Sequence, residues 1–380
     1  MKSEYKRCSR CVMDTTDPEI EFNDSGICNH CIEFDKNTIQ RWYPNKKGSE
    51  KLLRIIEKIK KERKNHEYDC IIGLSGGSDS SYLAYRIKEY GLKTLAIHVD
   101  AGWNSELAVQ NIERILKYCE FDLVTHVVNW ETMRRLHIAY LKSGVANQDV
   151  PQDQVFIACL YSFAAKNKIR YVLNGGNIAT ESVFPNYWLY DNKDSRNLKA
   201  IFRTFDGGKL KGYKTISFFN YYFYYPFIKR MKVLKLLNYI PYNKIEAMKE
   251  LEVMTGWKAY DRKHGESIFT KFFQNYFLIE RYGFDKRLPH LSSLILSGQI
   301  TREEALQKLS EPLYLKNELR EDLHYVCKKL EISTDEFFEY LRSPKKKETD
   351  YPSNHYRYLF IKKAQGIIEN RFSIDMKKYA

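Results

Sequence analysis

A doubly wound parallel α/β sheet is the fold class the sequence predicts, with a cysteine ribbon before it and a helical C-terminal region after it. Three observations lead there. The apolar run Cys70-Ile71-Ile72-Gly73-Leu74 passes through Ser75-Gly76-Gly77-Ser78-Asp79-Ser80 into a helical pattern beginning near Ser81, which is the order strand, glycine turn, helix. Strand-like and helix-like segments then alternate as far as Asn174, as they do where crossover helices join parallel strands. Ahead of both, Cys8-x2-Cys11 and Cys28-x2-Cys31 share one short polar segment.

In chain order, residues 1–45 form the ribbon. In a reducing compartment the two cysteine pairs read as a tetrahedral thiolate zinc site rather than as disulfides, with Asp24-Ser25-Gly26 turning the second pair back on the first. Cys8, Cys11, Cys28 and Cys31 would fill every ligand position, so the zinc is expected to be structural, with His30 supporting it or lying at the surface. A basic stretch around Asn45-Lys46-Lys47-Gly48-Ser49 leads into the sheet domain, 46–262. Leu52, Leu53, Ile56 and Ile59 mark an amphipathic helix over 50–63. After the glycine turn come a helix carrying Tyr82, Leu83 and Tyr85, a strand from Lys93 to Val99 ending at Asp100, a helix over 105–118, a strand over 123–128, a helix over 152–166 and a strand over 171–174.

Phe218 to Phe227 is aromatic almost throughout and is followed by Lys229, Arg230, Lys232 and Lys235. It is too short to span a bilayer and reads as core or inter-domain packing, with peripheral contact to a membrane or partner as the alternative. Pro241-Tyr242-Asn243-Lys244 starts a helix that closes the sheet domain. Helical signals dominate 263–345, a substrate or partner region with capping boxes Thr301-x2-Glu304 and Ser333-x2-Glu336. Residues 343–354 read as a polar linker, and 346–380 as a basic C-terminal helix or tail.

Ligands of such sheets sit beyond the carboxyl ends of the strands, which gathers the loops 75–80, 100–104 and 175–181. In the first, two glycines let the backbone approach an anion, serines add hydroxyls, and N–H groups at the helix start favour negative charge. No lysine follows the glycines, so the loop is not one that transfers a γ-phosphoryl group. It resembles the SGGxDS signature of the PP-loop ATP pyrophosphatases, whose sheet is of the adenine nucleotide alpha hydrolase-like type. That resemblance implies ATP held by Ser75, Gly76, Gly77, Ser78, Asp79 and Ser80, with Asp79 holding Mg²⁺. Gly175-Gly176-Asn177-Ile178-Ala179-Thr180-Glu181 is similar to the Mg²⁺ and pyrophosphate loop of NAD synthetase-like members, which makes Gly175, Gly176 and Asn177 nucleotide contacts and Glu181 a second Mg²⁺ ligand. Asp100 is a candidate adenosine contact or a strand-end turn residue, and Trp103 a base-stacking or a core residue. Asp149-Val150-Pro151-Gln152-Asp153 is chiefly a helix start, from which Gln152 and Asp153 are candidates for acceptor contact.

With 380 residues and 43% hydrophobic content, two or three domains are expected. A formal charge of +14 favours polyanions without choosing among nucleotides, nucleotide sugars, RNA and anionic lipid. No apolar signal core precedes the first cysteines and no apolar run reaches spanning length, so a cytoplasmic protein is expected.

Arg7-Cys8-Ser9-Arg10-Cys11-Val12-Met13-Asp14-Thr15-Thr16, the loop at 75–80, Lys263-His264-Gly265-Glu266-Ser267, Phe284-Asp285-Lys286-Arg287 and His290-Leu291-Ser292-Ser293-Leu294 together resemble the N-acetyl sugar amidotransferases of bacterial O-antigen and lipopolysaccharide biosynthesis. Gly265 is smaller than the residues usual there. The resemblance implies ATP-dependent conversion of the acetamido group of a nucleotide-linked N-acetyl sugar to an acetamidino group. An adenylated imidate would be attacked by ammonia, releasing AMP and pyrophosphate. It implies catalytic roles for Asp79, for Lys263 as a phosphate neutraliser, and for His264 or Glu266 as the proton acceptor. No cysteine has a glutaminase context, so ammonia is expected from a separate protein, and the resemblance implies a partner glutaminase of the HisH/HisF-like kind.

A tRNA thiolase of the PP-loop class is the alternative enzyme, yet Cys70, Cys119, Cys159 and Cys327 form no second Cys-x2-Cys. A zinc-ribbon nucleic-acid binder is the alternative outside catalysis. The intact SGGSDS loop argues against it, and nucleic acid is not the expected partner.

Overall fold

The computed structural model describes residues 4–185, 188, 191–262 and 264–372, the side chains of 364–372 excepted. Among the described residues five strands make one all-parallel sheet: β1 (Cys70–Gly73), β2 (Thr94–Asp100), β3 (Asp122–Val127), β4 (Tyr171–Leu173) and β5 (Lys232–Leu234), in the order β3-β2-β1-β4-β5. Alternation along β1 explains its central place: Ile71 packs with Leu95, Ile97 and Val172 on one face, while Cys70 and Ile72 pack with Ala96, Tyr171 and Leu173 on the other. From β1 the chain winds outward through β2 to β3, then returns to the other side of β1 for β4 and β5. The gap between β1 and β4 is therefore the switch point, where the following loops diverge and leave a crevice.

Helices cover both faces. After α1 (Asn29–Glu33) comes α2 (Lys46–Arg63), which begins earlier than the hydrophobic pattern suggests. Asn45 caps it by accepting the Gly48 N–H at 3.1 Å, and Gly48 fits against the Tyr43 and Tyr239 carbonyls where a Cβ has no room. Then follow α3 (Ser78–Glu89), α4 (Glu106–Cys119), α5 (Trp130–Ser143), α6 (Val150–Lys166), α7 (Ile178–Glu181), α8 (Ser195–Phe205) and α9 (Lys244–Thr255). Three elements, α5, α8 and β5, lie outside the sequence expectations. Arg134 and Arg135 break the apolar run of α5, and β5 has lysine at its start and owes its strand state to pairing with β4. The C-terminal region is helical as expected: α10 (Ile268–Phe272) and α11 (Leu278–Tyr282) joined by a π-turn, α12 (Arg287–Leu296), α13 (Arg302–Ser310), α14 (Lys316–Leu330), α15 (Thr334–Arg342) and α16 (His355–Phe372). Both expected capping boxes form, at Thr301 and Ser333.

The ribbon packs on this helical region rather than standing apart. Cys8, Val12, Met13 and Phe34 share a core with Phe269, Phe272, Leu291 and Phe337. The Val12 N–H donates to Ser292 Oγ at 3.3 Å, and Arg302 donates to the carbonyls of Cys8 and Cys11 at 3.0 and 3.1 Å.

Two expectations need correction. The segment 343–354 is no free linker: Lys346 N donates to Gly144 O at 2.8 Å, Tyr351 OH to Ser143 O at 2.8 Å, and Asn354 Nδ2 to Asp194 Oδ1 at 2.9 Å. Its polar composition serves docking onto α5 and α8. The aromatic segment is only half a packing element. Tyr225 is buried and Tyr221 half-buried in its π-helical turn Asn220–Ile228, whereas Phe219, Phe223 and Phe227 face solvent. Among the described residues no helix is long and apolar enough to cross a membrane.

Candidate nucleotide and acceptor site

Gly76 has φ +81°, and a Cβ there would stand 2.6 Å from the Ala108 carbonyl oxygen. Its own carbonyl accepts from Trp257 Nε1 at 2.9 Å and Tyr260 OH at 3.0 Å, so its negative end is already held. Gly77 then occupies the cap position of α3 without a side-chain cap, leaving the first N–H groups of that helix available to an anion. The Ser75 and Ser80 hydroxyls lie 3.2 Å apart beside it. The second loop comes close behind the first: a Cβ on Gly175 would lie 3.1 Å from the backbone of Asp79 and Ser80.

Asp79 Oδ1 accepts from Tyr242 OH at 2.6 Å and Asn177 Nδ2 at 3.2 Å, while Oδ2 lies 3.7 Å from Lys244 Nζ. Asn177 also caps α7, accepting the Thr180 N–H at 3.0 Å, and Glu181 ends that helix exposed. Burial, Asp79 and Glu181 together push the Tyr242 hydroxyl well up, which keeps it a donor. Two carboxylates at a phosphate-type loop suit Mg²⁺, which takes few protein oxygens and completes its shell with phosphate and water. Asp79 and Glu181 are the residues that would hold it.

Asp100 serves its turn, accepting from Gly102 N at 2.7 Å and Asn104 Nδ2 at 3.1 Å; His98 and Asn104 line the cavity beside it. Trp103 is core: it is buried, donates to His137 Nε2 at 3.0 Å and packs 5.1 Å from the Phe269 ring.

The loop 73–75 opens into a cavity of about 1170 Å³ whose other walls include the end of β2, the start of α6, Thr180 and Glu181 of α7, residues 191–194, residues 264–290 and the start of α16, with Glu19 of the ribbon also lining it. Gln152 and Asp153 both line it. Gln152 Nε2 donates to Asp149 Oδ1 at 3.1 Å and Thr270 Oγ1 at 3.2 Å, and Asp153 Oδ2 accepts from Asn192 Nδ2 at 3.2 Å. Asp149, read from sequence as part of a helix start, makes no side-chain cap; it is a buried wall residue that accepts from Gln152, Thr270 and Gln274. Burial, then Asp153, pushes its carboxyl up from the ordinary carboxylate range. His264, at φ +64°, places Nδ1 3.5 Å from Glu266 Oε1. Burial pushes the Glu266 carboxyl up, but His264 and Lys244 outweigh it and hold the group below the ordinary range. Gly265 has a local reason to be small, since a Cβ there would stand 2.8 Å from Tyr260 Cβ, the residue that reaches Gly76. Lys263 lies outside the described residues. Sequence reading missed Tyr242, Lys244, Trp257 and Tyr260 as loop supports, because their partners lie far away in sequence.

The four ribbon cysteines cluster with all sulfurs within 4.8 Å, and the Cys8–Cys31, Cys11–Cys28 and Cys28–Cys31 separations are 3.8, 3.6 and 3.7 Å. Tetrahedral zinc with 2.3 Å bonds requires sulfur separations of roughly 3.8 Å, so the cradle fits that ion. The Arg10 and Cys28 amides point at Cys8 Sγ, at 3.4 and 3.2 Å. His30 stands outside the cluster and pairs with Asp17 at 2.7 Å. Among the described residues this is the one group of three or more metal-type ligands.

Residues 266–365 match the family model of the LPS biosynthesis protein WbpG-like, C-terminal domain. Protein MJ1599 of Methanocaldococcus jannaschii is 30% identical over 121 residues, 31% of this chain and 41% of the relative. The tRNA(Ile)-lysidine synthase of Chlamydia pneumoniae is 40% identical over 58 residues, 15% of this chain and 18% of that enzyme. The chain thus spans less than half the length of these curated relatives. Among solved structures, NMN synthetase from Francisella tularensis aligns at TM-score 0.30 and 15% identity over 58% of this chain and 98% of that one. NAD+ synthetase from Burkholderia pseudomallei aligns at TM-score 0.27 and 15% identity, over 59% and 91%. The helical wall that faces the glycine loop across the cavity is, from Glu266 onward, the segment that matches the WbpG-like C-terminal domain model.

Proposed function

We propose that the protein is an ATP-dependent amidotransferase that converts the acetamido group of a nucleotide-linked sugar to an acetamidino group. One observation carries most of the support: an anion-type loop at the sheet's switch point and a WbpG-like wall border a single cavity. An amide resists ammonia because its oxygen leaves poorly. In the proposed reaction that oxygen attacks the α-phosphorus of ATP, the bond to pyrophosphate breaks, and an O-adenylated imidate results. Ammonia adds to the imidate carbon, AMP departs with the former amide oxygen, and the nitrogen sheds a proton.

The first N–H groups of α3 and the Ser75 and Ser80 hydroxyls would stabilise phosphate charge, with Lys263 as a further cation. Asp79 and Glu181 would hold Mg²⁺, which when bound would supply charge neutralisation at the phosphates. Glu266, ionised and paired with His264, would take the proton from ammonia. Asp149 and Asp153, with Gln152, would meet the acceptor. Ammonia would come from a partner glutaminase of the HisH/HisF-like kind.

Thiolation of tRNA fits less well. Burial pushes the Cys70 and Cys119 thiols up to about 12 and those of Cys159 and Cys327 up to about 11, which leaves each a core thiol rather than a sulfur carrier. The test incubates the full chain with ATP, Mg²⁺, ammonium and a panel of nucleotide-linked N-acetyl sugars. AMP, pyrophosphate and a product whose mass reflects NH in place of O are expected. Pyrophosphate release that no sugar stimulates, or product from a Glu266→Gln protein at the parent rate, contradicts the assignment.

A further inference from the structure

The π-helical turn Asn220–Ile228 has two faces. Tyr221 and Tyr225 pack inward on Tyr161, with ring centroids 5.6 and 5.2 Å away. Outward lie Phe219, Phe223 and Phe227, which are 62%, 43% and 66% exposed, with successive rings 5.9 and 6.4 Å apart. Exposed Ile228 extends the row. A contiguous row of exposed aromatic rings is uncommon on a protein that meets only water.

Cations surround it. A cleft beside Phe219 is lined by Arg196, Lys199 and Arg203 of α8 and Arg357 of α16, and among the described residues that line it none is acidic. Lys229 and Arg230 follow the row, both exposed. The start of α16 lies alongside, with Tyr358 meeting Tyr222 at 6.4 Å, and it exposes Tyr356, Leu359 and Phe360.

We propose that this face docks on a bilayer containing anionic phospholipid, with Phe219, Phe223 and Phe227 entering the acyl boundary and the arginines and lysines at the headgroups. Apolar rings bracketed by cations are complementary to that one surface in both layers: phosphate outside, hydrocarbon beneath. A second copy of the chain is a poor occupant, because symmetric pairing would set the arginine cluster against itself. Phe218, Tyr358 and Leu359 also line the large cavity, so docking would bring the cavity's edge to the lipid surface.

The test is cosedimentation of the full chain with vesicles of phosphatidylcholine alone or mixed with phosphatidylglycerol. The protein is expected to pellet with the mixed vesicles, weakly with the neutral ones, and less as salt rises. Combined Phe219→Ser, Phe223→Ser and Phe227→Ser should weaken binding roughly tenfold or more, and Arg196→Glu with Arg203→Glu should remove the preference for anionic lipid. Since these side chains are exposed, both variants should keep the parent's melting temperature. Absence of binding to either vesicle, or parent-level binding by the phenylalanine variant, overturns the proposal. So does a parent dimer, seen by sedimentation, that the phenylalanine variant dissociates, because the row would then meet a second copy.

Discussion

Gly76 and Gly77 adjoin each other, and the structure predicts opposite consequences for an added methyl. At Gly76, alanine must adopt φ +81°, a left-handed geometry that costs about 1–2 kcal/mol. Its Cβ would also stand 2.6 Å from the Ala108 carbonyl oxygen, and because that obstacle is backbone, relief by movement adds about 1–3 kcal/mol. Together these lower the melting temperature by roughly 5–15 °C. At Gly77, φ is −69°, and the new methyl would meet Ser75 Oγ at 3.3 Å and Glu266 Oε1 at 3.4 Å, both ends of side chains that can turn. Gly77→Ala should therefore melt within a few degrees of the parent, a change of about 1 kcal/mol or less. Its methyl occupies the approach to the α3 amides, so titration calorimetry should show ATP affinity reduced about tenfold or more. A Gly76→Ala protein that melts like the parent refutes the loop geometry. A Gly77→Ala protein that binds ATP like the parent refutes the anion cradle.

Metal analysis should find a single zinc per chain, lost in Cys28→Ser. Because Ser292 and Arg302 bond the cysteine loop directly, removing the metal should raise hydrogen exchange across 287–310, and unchanged protection there would show the two parts to be independent. Burial holds His137 neutral, with its pKa pushed down to about 3 from an ordinary 6.5. The unfolded chain gains a proton that the folded chain refuses. The resulting stability is whole above pH 6.5 and falls as pH drops toward 3, by up to about 1.4 kcal/mol per unit. His137→Gln, which keeps an acceptor for Trp103, should flatten the fall of the urea midpoint with pH; an unaltered slope would place the acid sensitivity elsewhere.

Much of the scaffold was legible because local chemistry dictated it. Strands of buried β-branched and small residues, the paired cysteines and the two capping boxes each declare themselves within a few positions. The failures share a cause, since they depend on distant partners. Strand β5 exists through pairing with β4, Asp149 is buried by Thr270 and Gln274, and Asp79 is oriented by Tyr242 and Lys244. Asp149 could not be told from a helix cap, because the local pattern of an acid, a proline and a following acid is the same. The segment 343–354 misled for a related reason: polar residues that satisfy another segment's backbone look, in sequence, like polar residues in water.

The large cavity draws its lining from Glu19, from Leu74 and Ser75, from Thr270 and from Leu359, stretches that leave the ribosome at widely separated times. The glycine loop can fold with its sheet while Thr270 and Leu359 are still unmade. A nucleotide bound at that stage would meet no acceptor wall, and nothing would stand ready to use an activated intermediate. Under the proposed reaction, completing the enclosure with late-made residues would tie productive chemistry to the arrival of the C-terminal wall and would spare idle ATP cleavage by nascent chains.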